Sequence, residues 1–152
     1  MTGLDHDEKV IEEAKNNFSN YPSVEFAKGD ATNMPFHDEE FDFVMCMGSF
    51  ANFADQKIQI LKEMKRVLKE TGRIIISVFS EDAFEERMKV YKFLNVKIKD
   101  VRGTTVIFDD SVGDNISEQF TKGQLEELFG KAGLIAEDII KSQIAYLCKL
   151  RK

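Results

Sequence analysis

The sequence has little of what metal-bearing, redox or nucleic-acid-binding chains use. Its 152 residues hold two cysteines, two histidines, two prolines and no tryptophan. Cys46 and Cys148 lie far apart and form no CxxC pair, which reads as reduced thiols in a cytoplasmic protein. His6 and His37 are too few for a metal site, which needs several convergent ligands, so no metal is expected. No Ser-His-Asp or Cys-His set can be read, and Cys46, inside an apolar run, reads as a packing residue. The acidic stretch Phe36–Glu40 reads as a solvated turn. Cations are also scarce: 21 Lys and Arg against 27 Asp and Glu give a formal net charge of −6. Binding a phosphate backbone takes clustered cations, so no nucleic-acid partner is expected. No run approaches the ~18 consecutive apolar residues of a membrane span. The start "MTGLDHDEKV" lacks the basic and apolar regions of a signal peptide, and no membrane partner is expected.

What is present is an alternation of strand and helix periods. With 43% apolar and 32% charged residues, 1–152 reads as a single soluble domain able to bury one core. "TGLD" reads as the end of a buried strand, and Asp7 as the cap of a helix showing Val10, Ile11, Ala14 and Phe18 on one face. "SVEFAKGDA" supplies a short strand ending at Gly29-Asp30. "FDFVMCMG" is a near-continuous apolar run, as in a parallel strand buried on both faces. The following helix places Ile58, Leu61, Met64 and Leu68 on one face, with Asp55 as cap and Gly72 as stop. "RIIISVFS" is another buried strand, and "EDAFEERMKVYKFL" a helix with Phe84, Met88 and Tyr91 in register. Such alternation predicts right-handed crossovers on a parallel sheet. Then come a hairpin through Arg102-Gly103, a helix with a capping box from Thr121 to Gln124 closed by Gly133, and two strands around Lys141–Gln143 that pair antiparallel. The fold class is α/β, a doubly wound domain with an antiparallel edge.

In open α/β sheets ligands sit at the carboxyl ends of the strands, so Asp5, Asp30 and the Met47–Phe53 stretch are the candidates. Asp5 can accept from vicinal ribose hydroxyls, or can merely cap the helix together with Asp7. Asp30 can accept from an exocyclic amine, or can be a turn residue after Gly29. Two strand-end acids in successive units are more specific than either alone.

Three blocks, "GLDHDEKVIEEAK", "VEFAKGDATNMPFHDEEFDFVMCMGSFANFAD" and "LKEMKRVLKETGRIIISVFS", make the chain resemble class I S-adenosylmethionine-dependent methyltransferases almost end to end. The resemblance implies a Rossmann-like sheet with an antiparallel C-terminal strand and a small inserted hairpin. It implies ribose contact by Asp5, adenine contacts by His6, Asp30 and Ala31, and a position for Met47 beside the methionine part of the cofactor. It further implies methyl transfer to an acceptor, with a small molecule favoured. Residues 91–120 fall where the family often inserts a substrate lid, which Phe93, Phe108 and Phe120 would line.

One family element is absent from these residues: the first strand and its glycine-rich GxGxG turn, which normally precede "TGLD". The chain therefore reads as incomplete at its N-terminus, with Met1 standing where an internal valine codon is read as a start. S-adenosylmethionine binding by residues 1–152 is expected to be weak or lost. The sheet would lack its central strand, and a homodimer through that gap is expected. The competing reading is a non-catalytic, methyltransferase-like binding or assembly module.

Overall fold

The computed structural model describes residues 1–109 and 116–152. Residues 110–115, part of the 91–120 segment expected to form a lid, lie outside the described residues. In chain order the elements are β1 (Thr2–Asp5), α1 (Glu8–Asn17), β2 (Glu25–Lys28), β3 (Phe41–Met47), two 3-10 turns (Ser49–Asn52 and Ala54–Gln56) and α2 (Lys57–Val67). They continue with β4 (Leu68–Phe79), α3 (Phe84–Phe93), β5 (Ile98–Arg102), β6 (Thr105–Phe108), β7 (Ile116–Ser117), α4 (Lys122–Lys131), β8 (Ile135–Ser142) and β9 (Ala145–Arg151).

Local chemistry sets several of these boundaries. Asp7 has extended backbone and accepts the Lys9 amide at 2.8 Å, satisfying one of the open donors at the start of α1. Thr121 and Gln124 form the reciprocal capping box of α4. Gly133, at φ +70, ends α4, and the Leu134 amide reaches back to the Phe129 carbonyl. Asp55 and Gly72 behave otherwise than expected. Asp55 lies in the second 3-10 turn, and α2 starts at Lys57 without a side-chain cap. The helix stops at Val67, and Gly72 lies inside β4. There the register jumps from Phe41 opposite Leu68 to Phe43 opposite Arg73. A Cβ at Gly72 would stand 2.8 Å from the Asp42 carbonyl oxygen, so this glycine allows a close approach of two strands rather than a helix stop.

The strands form three sheets. β1 pairs with β2 in parallel; β3, β4, β9 and β8 lie in that order, β3 parallel to β4 and the rest antiparallel; β5, β6 and β7 form a small antiparallel sheet. β1 and β3 do not pair with each other, and a cavity of 340 Å³ separates them. Thr2, Gly3 and Leu4 line it on one side and Val44 to Met47 on the other.

The core lies on one face of the four-stranded sheet. Ile74 and Ile76 of β4 and Cys148 and Leu150 of β9 pack with Ile60, Leu61 and Val67 of α2 and Leu125 and Phe129 of α4. Each such side chain stabilises by roughly 1.5–3 kcal/mol through burial. The other face of β3 is open: Phe43, Met45 and Met47 are 66%, 64% and 54% exposed. The expectation that "FDFVMCMG" is buried on both faces therefore fails. The apolar run reflects a strand covered on one side only, with Val44 half-buried and Cys46 buried. In α1, likewise, Ile11 is buried while Val10 and Phe18 are exposed.

α3 carries a buried arginine that no apolar pattern could reveal. Arg87, 2% exposed, donates through Nη2 to the Ser117 carbonyl (2.6 Å) and hydroxyl (3.0 Å). Through Nη1 it donates to Gln119 Oε1 (2.9 Å) and the Thr104 carbonyl (3.2 Å). Its guanidinium also stacks 4.9 Å from the Phe79 ring centroid. One side chain thus joins β4, α3 and the three-stranded sheet.

Candidate functional site

A cleft of 340 Å³ opens at the carboxyl ends of β1, β2 and β3. Leu4 and Asp5 of β1 and His6 just after it line the cleft, with Gly29 to Ala31 just after β2, and Ser49, Asn52, Phe53, Gln56 and Ile60 from the turns and α2. Four of the five residues expected to form a site, Asp5, His6, Asp30 and Ala31, meet here. Met47 does not; it lies on the neighbouring cavity between β1 and β3.

The two carboxylates are each held by one oxygen. Asp5 Oδ1 accepts the Asp7 amide at 2.9 Å and sits 3.5 Å from His6 Nδ1. Asp7, not Asp5, caps α1. Asp30 Oδ1 accepts both the amide (2.7 Å) and the hydroxyl (2.8 Å) of Thr32. These bonds, with the nearby His6, hold the Asp30 carboxyl below the usual carboxylate range. The Oδ2 atoms of Asp5 and Asp30 make no hydrogen bond among the described residues. β1 and β2 approach closely behind them: the Gly29 amide donates to the Asp5 carbonyl at 2.9 Å. A Cβ at Gly29 would stand 2.9 Å from Leu4 Cδ1 and 2.8 Å from Pro35 Cδ.

The third wall is the turn after β3. Gly48 adopts φ +87, and Phe50 and Ala51 behind it are fully buried, which turns Asn52, Phe53 and Gln56 toward the cleft. Ser49, Asn52 and Phe53 fall within the Met47–Phe53 stretch expected at this strand end, whereas Gln56 lies beyond it and no residue type marked it. Burial pushes the Cys46 thiol up to about 11, although it accepts from the Ser49 and Phe50 amides, so it stays a neutral packing group. The three aromatic residues expected to line a lid do not share a cavity. Phe93 is 83% exposed, Phe108 is buried edge-on against Tyr91, and Phe120 is buried against Phe50.

Among the described residues, no lysine or arginine lines the cleft. Acceptors at Asp5 and Asp30 with no partner among the described residues, an aromatic ring at Phe53 and the amide of Gln56 suit a neutral donor-rich ligand, such as a nucleoside, better than an anion.

Residues 1–76 match a family model described as a methyltransferase domain. The demethylmenaquinone methyltransferase of Thermotoga maritima is 41% identical over 76 residues, 50% of this chain. The chain spans only 31% of that relative's length. A crystal structure of a Pyrococcus horikoshii protein is similar over 99% of this chain and 72% of its own, with a TM-score of 0.77 and 25% identity. The fold also matches a Burkholderia thailandensis 1,6-didemethyltoxoflavin-N1-methyltransferase, solved with 1,6-didemethyltoxoflavin and S-adenosylhomocysteine. That match covers 99% of this chain and 60% of the other, with a TM-score of 0.69 and 20% identity.

Proposed function

The chain belongs to the class I S-adenosylmethionine-dependent methyltransferase family, and we propose that the cleft beside Asp5 and Asp30 holds the adenosyl half of that cofactor. The observation that carries this reading is the convergence of two strand-end carboxylates, each with one oxygen unpartnered among the described residues, in a cleft that no described lysine or arginine lines. Asp5 accepts from the ribose hydroxyls, Asp30 accepts from the adenine amine, and His6, Ala31 and Phe53 flank the base. When bound, S-adenosylmethionine supplies a methyl group on a sulfonium, already an activated electrophile. The residues of this chain then bind, orient and exclude water, which is enough for much of the acceleration. No general base is assigned. The acceptor is a small molecule, the sheet of β5–β7 belongs to the lid at 91–120 that covers it, and the setting is the cytoplasm.

Binding by residues 1–152 is weak, because no described residue of the cleft is a lysine or arginine that could meet the carboxylate of the cofactor's amino-acid end. Adenosine and S-adenosylhomocysteine are therefore expected to bind with similar affinity. In an NMR titration both should shift the amides of Asp5, His6, Asp30 and Ala31. Asp5→Ala should weaken binding about tenfold or more, the loss of a hydrogen bond to a charged group at about 1.5–3 kcal/mol. Titration with millimolar ligand that leaves these amides unmoved would overturn the reading. It would favour the second one, a methyltransferase-like binding or assembly module without catalysis.

The second reading has its own observation, and it also bears on assembly. β1 and β3 each pair on one side only, and β3 exposes Phe43, Met45 and Met47 beside its open edge. Unpaired strand edges and exposed apolar patches drive association. A second copy covering residues Met1–Phe18 or β3 would make a homodimer. Light scattering is expected to give twice the monomer mass, with Met45→Lys returning the protein to monomer. A monodisperse wild-type monomer at micromolar concentration would sink the dimer.

A further inference from the structure

Lys57 stands in an unfavourable place. It is the first residue of α2, 5% exposed, and so a buried cation at the end of a helix where the backbone dipole already favours anions. Its ammonium is held by the Ala54 carbonyl at 2.5 Å and by the Glu118 carboxylate, with the Phe120 ring centroid 5.8 Å away. Ala54 carries a positive φ of +47, a strained conformation for a residue with a Cβ. The Gln56 amide closes the same turn on the Phe53 carbonyl at 2.9 Å. On the other side, the Glu118 amide donates to the Ala51 carbonyl at 3.1 Å. The residues around this turn, Asn52, Phe53 and Gln56, are a wall of the cleft, while Glu118 directly follows β7 of the three-stranded sheet.

We infer that Lys57 is a positioning residue: the Ala54–Lys57–Glu118 bridge fixes the Phe53–Gln56 wall and ties its position to that of the β5–β7 sheet. The inference rests on the cleft being the adenosyl site only for its consequence in binding. The bridge is a contiguous physical link between two parts of the molecule, the kind of element through which one site biases another. Strain at Ala54 and an electrostatically misplaced cation are then retained for what they hold in place.

Two arms test this separately. Amide hydrogen exchange at Gln56 and Glu118 is expected to speed up about tenfold or more in Lys57→Met, and in the same two places in Glu118→Gln, while Ile75 and Leu147 in the sheet exchange as in the wild type. Unchanged exchange at Gln56, or a rise spread evenly over the molecule, would overturn the inference. In the second arm, adenosine affinity is expected to fall about fivefold in each single variant and no further in the double variant, because both break one link. Additive losses would overturn the coupling. If the wild type does not bind adenosine, the cofactor reading falls instead, and the exchange arm alone decides whether Lys57 sets the turn.

Discussion

Arg87→Met is expected to unfold about 3 kcal/mol more easily than the wild type. Two guanidinium nitrogens carry four hydrogen bonds, to the carbonyl and hydroxyl of Ser117, to the Thr104 carbonyl and to Gln119. Hydrogen bonds that involve a charged group contribute about 1.5–3 kcal/mol each, and the relief of desolvating the cation takes back part of the sum. The methionine keeps the apolar stem but leaves buried carbonyls without donors. In a domain of this size the loss corresponds to a fall in Tm of roughly 6–12 °C. Arg87→Lys keeps the charge and loses the planar fork, and should be nearly as damaging. Thermal and denaturant unfolding measure both. A change below about 0.5 kcal/mol, the ordinary scatter of surface substitutions, would show that Arg87 does not hold the small sheet to α3 and β4.

The second large effect concerns the segment that follows β2. Glu63, in α2 and 8% exposed, accepts the Met34 amide at 2.8 Å and is clasped by Arg66 through Nε and Nη2, both at 2.8 Å. Arg66 in turn donates to the carbonyls of Met34 and Phe36 and to Asp38. The Arg66 bonds, with the Met34 amide, hold the Glu63 carboxyl below its usual range, and its partners hold Arg66 above its own. A group whose folded pKa is lowered contributes stability that is present above its unfolded pKa and lost as the pH falls through the folded one. Glu63→Gln should therefore cost about 2–3 kcal/mol at neutral pH, where the charge-assisted bonds exist. The difference between variant and wild type should shrink as the solution is acidified below the ordinary carboxylate range. A difference that stays constant down to pH 2 would mean that the carboxylate charge is not what holds the segment.

The elements most readily legible in the sequence were those whose ends are set by their own residues. Asp7, the Thr121–Gln124 box, Gly133 and the turn at Gly103 act through local backbone hydrogen bonds or a positive φ, so composition and spacing reveal them. Asp55 and Gly72 misled because the same residue types serve other ends: an acid in a 3-10 turn and a glycine at a close strand approach. The apolar run of β3 shows that the strand is hydrophobic, not how many of its faces are covered. At the site, the acids at strand ends were legible because strand ends are where ligands sit. The same rule pointed to Asn52 and Phe53 within Met47–Phe53, but Gln56 lies beyond that stretch, and the buried cations Arg87 and Lys57 depend on contacts tens of residues apart and have no period to betray them.

Both carboxylates of the cleft belong to the two-stranded unit of β1 and β2, Asp5 at the end of β1 and Asp30 two residues beyond β2. A pair of four-residue strands with one helix is at most marginally stable by itself, so this unit borrows its stability from what it leans on. It is therefore the part of the molecule most ready to open without global unfolding, as a separate foldon. An observed affinity is the intrinsic one multiplied by the fraction of molecules in which that unit is closed. Anything that docks onto the free edge of β1 raises that fraction and sharpens binding at Asp5 and Asp30 without touching the ligand.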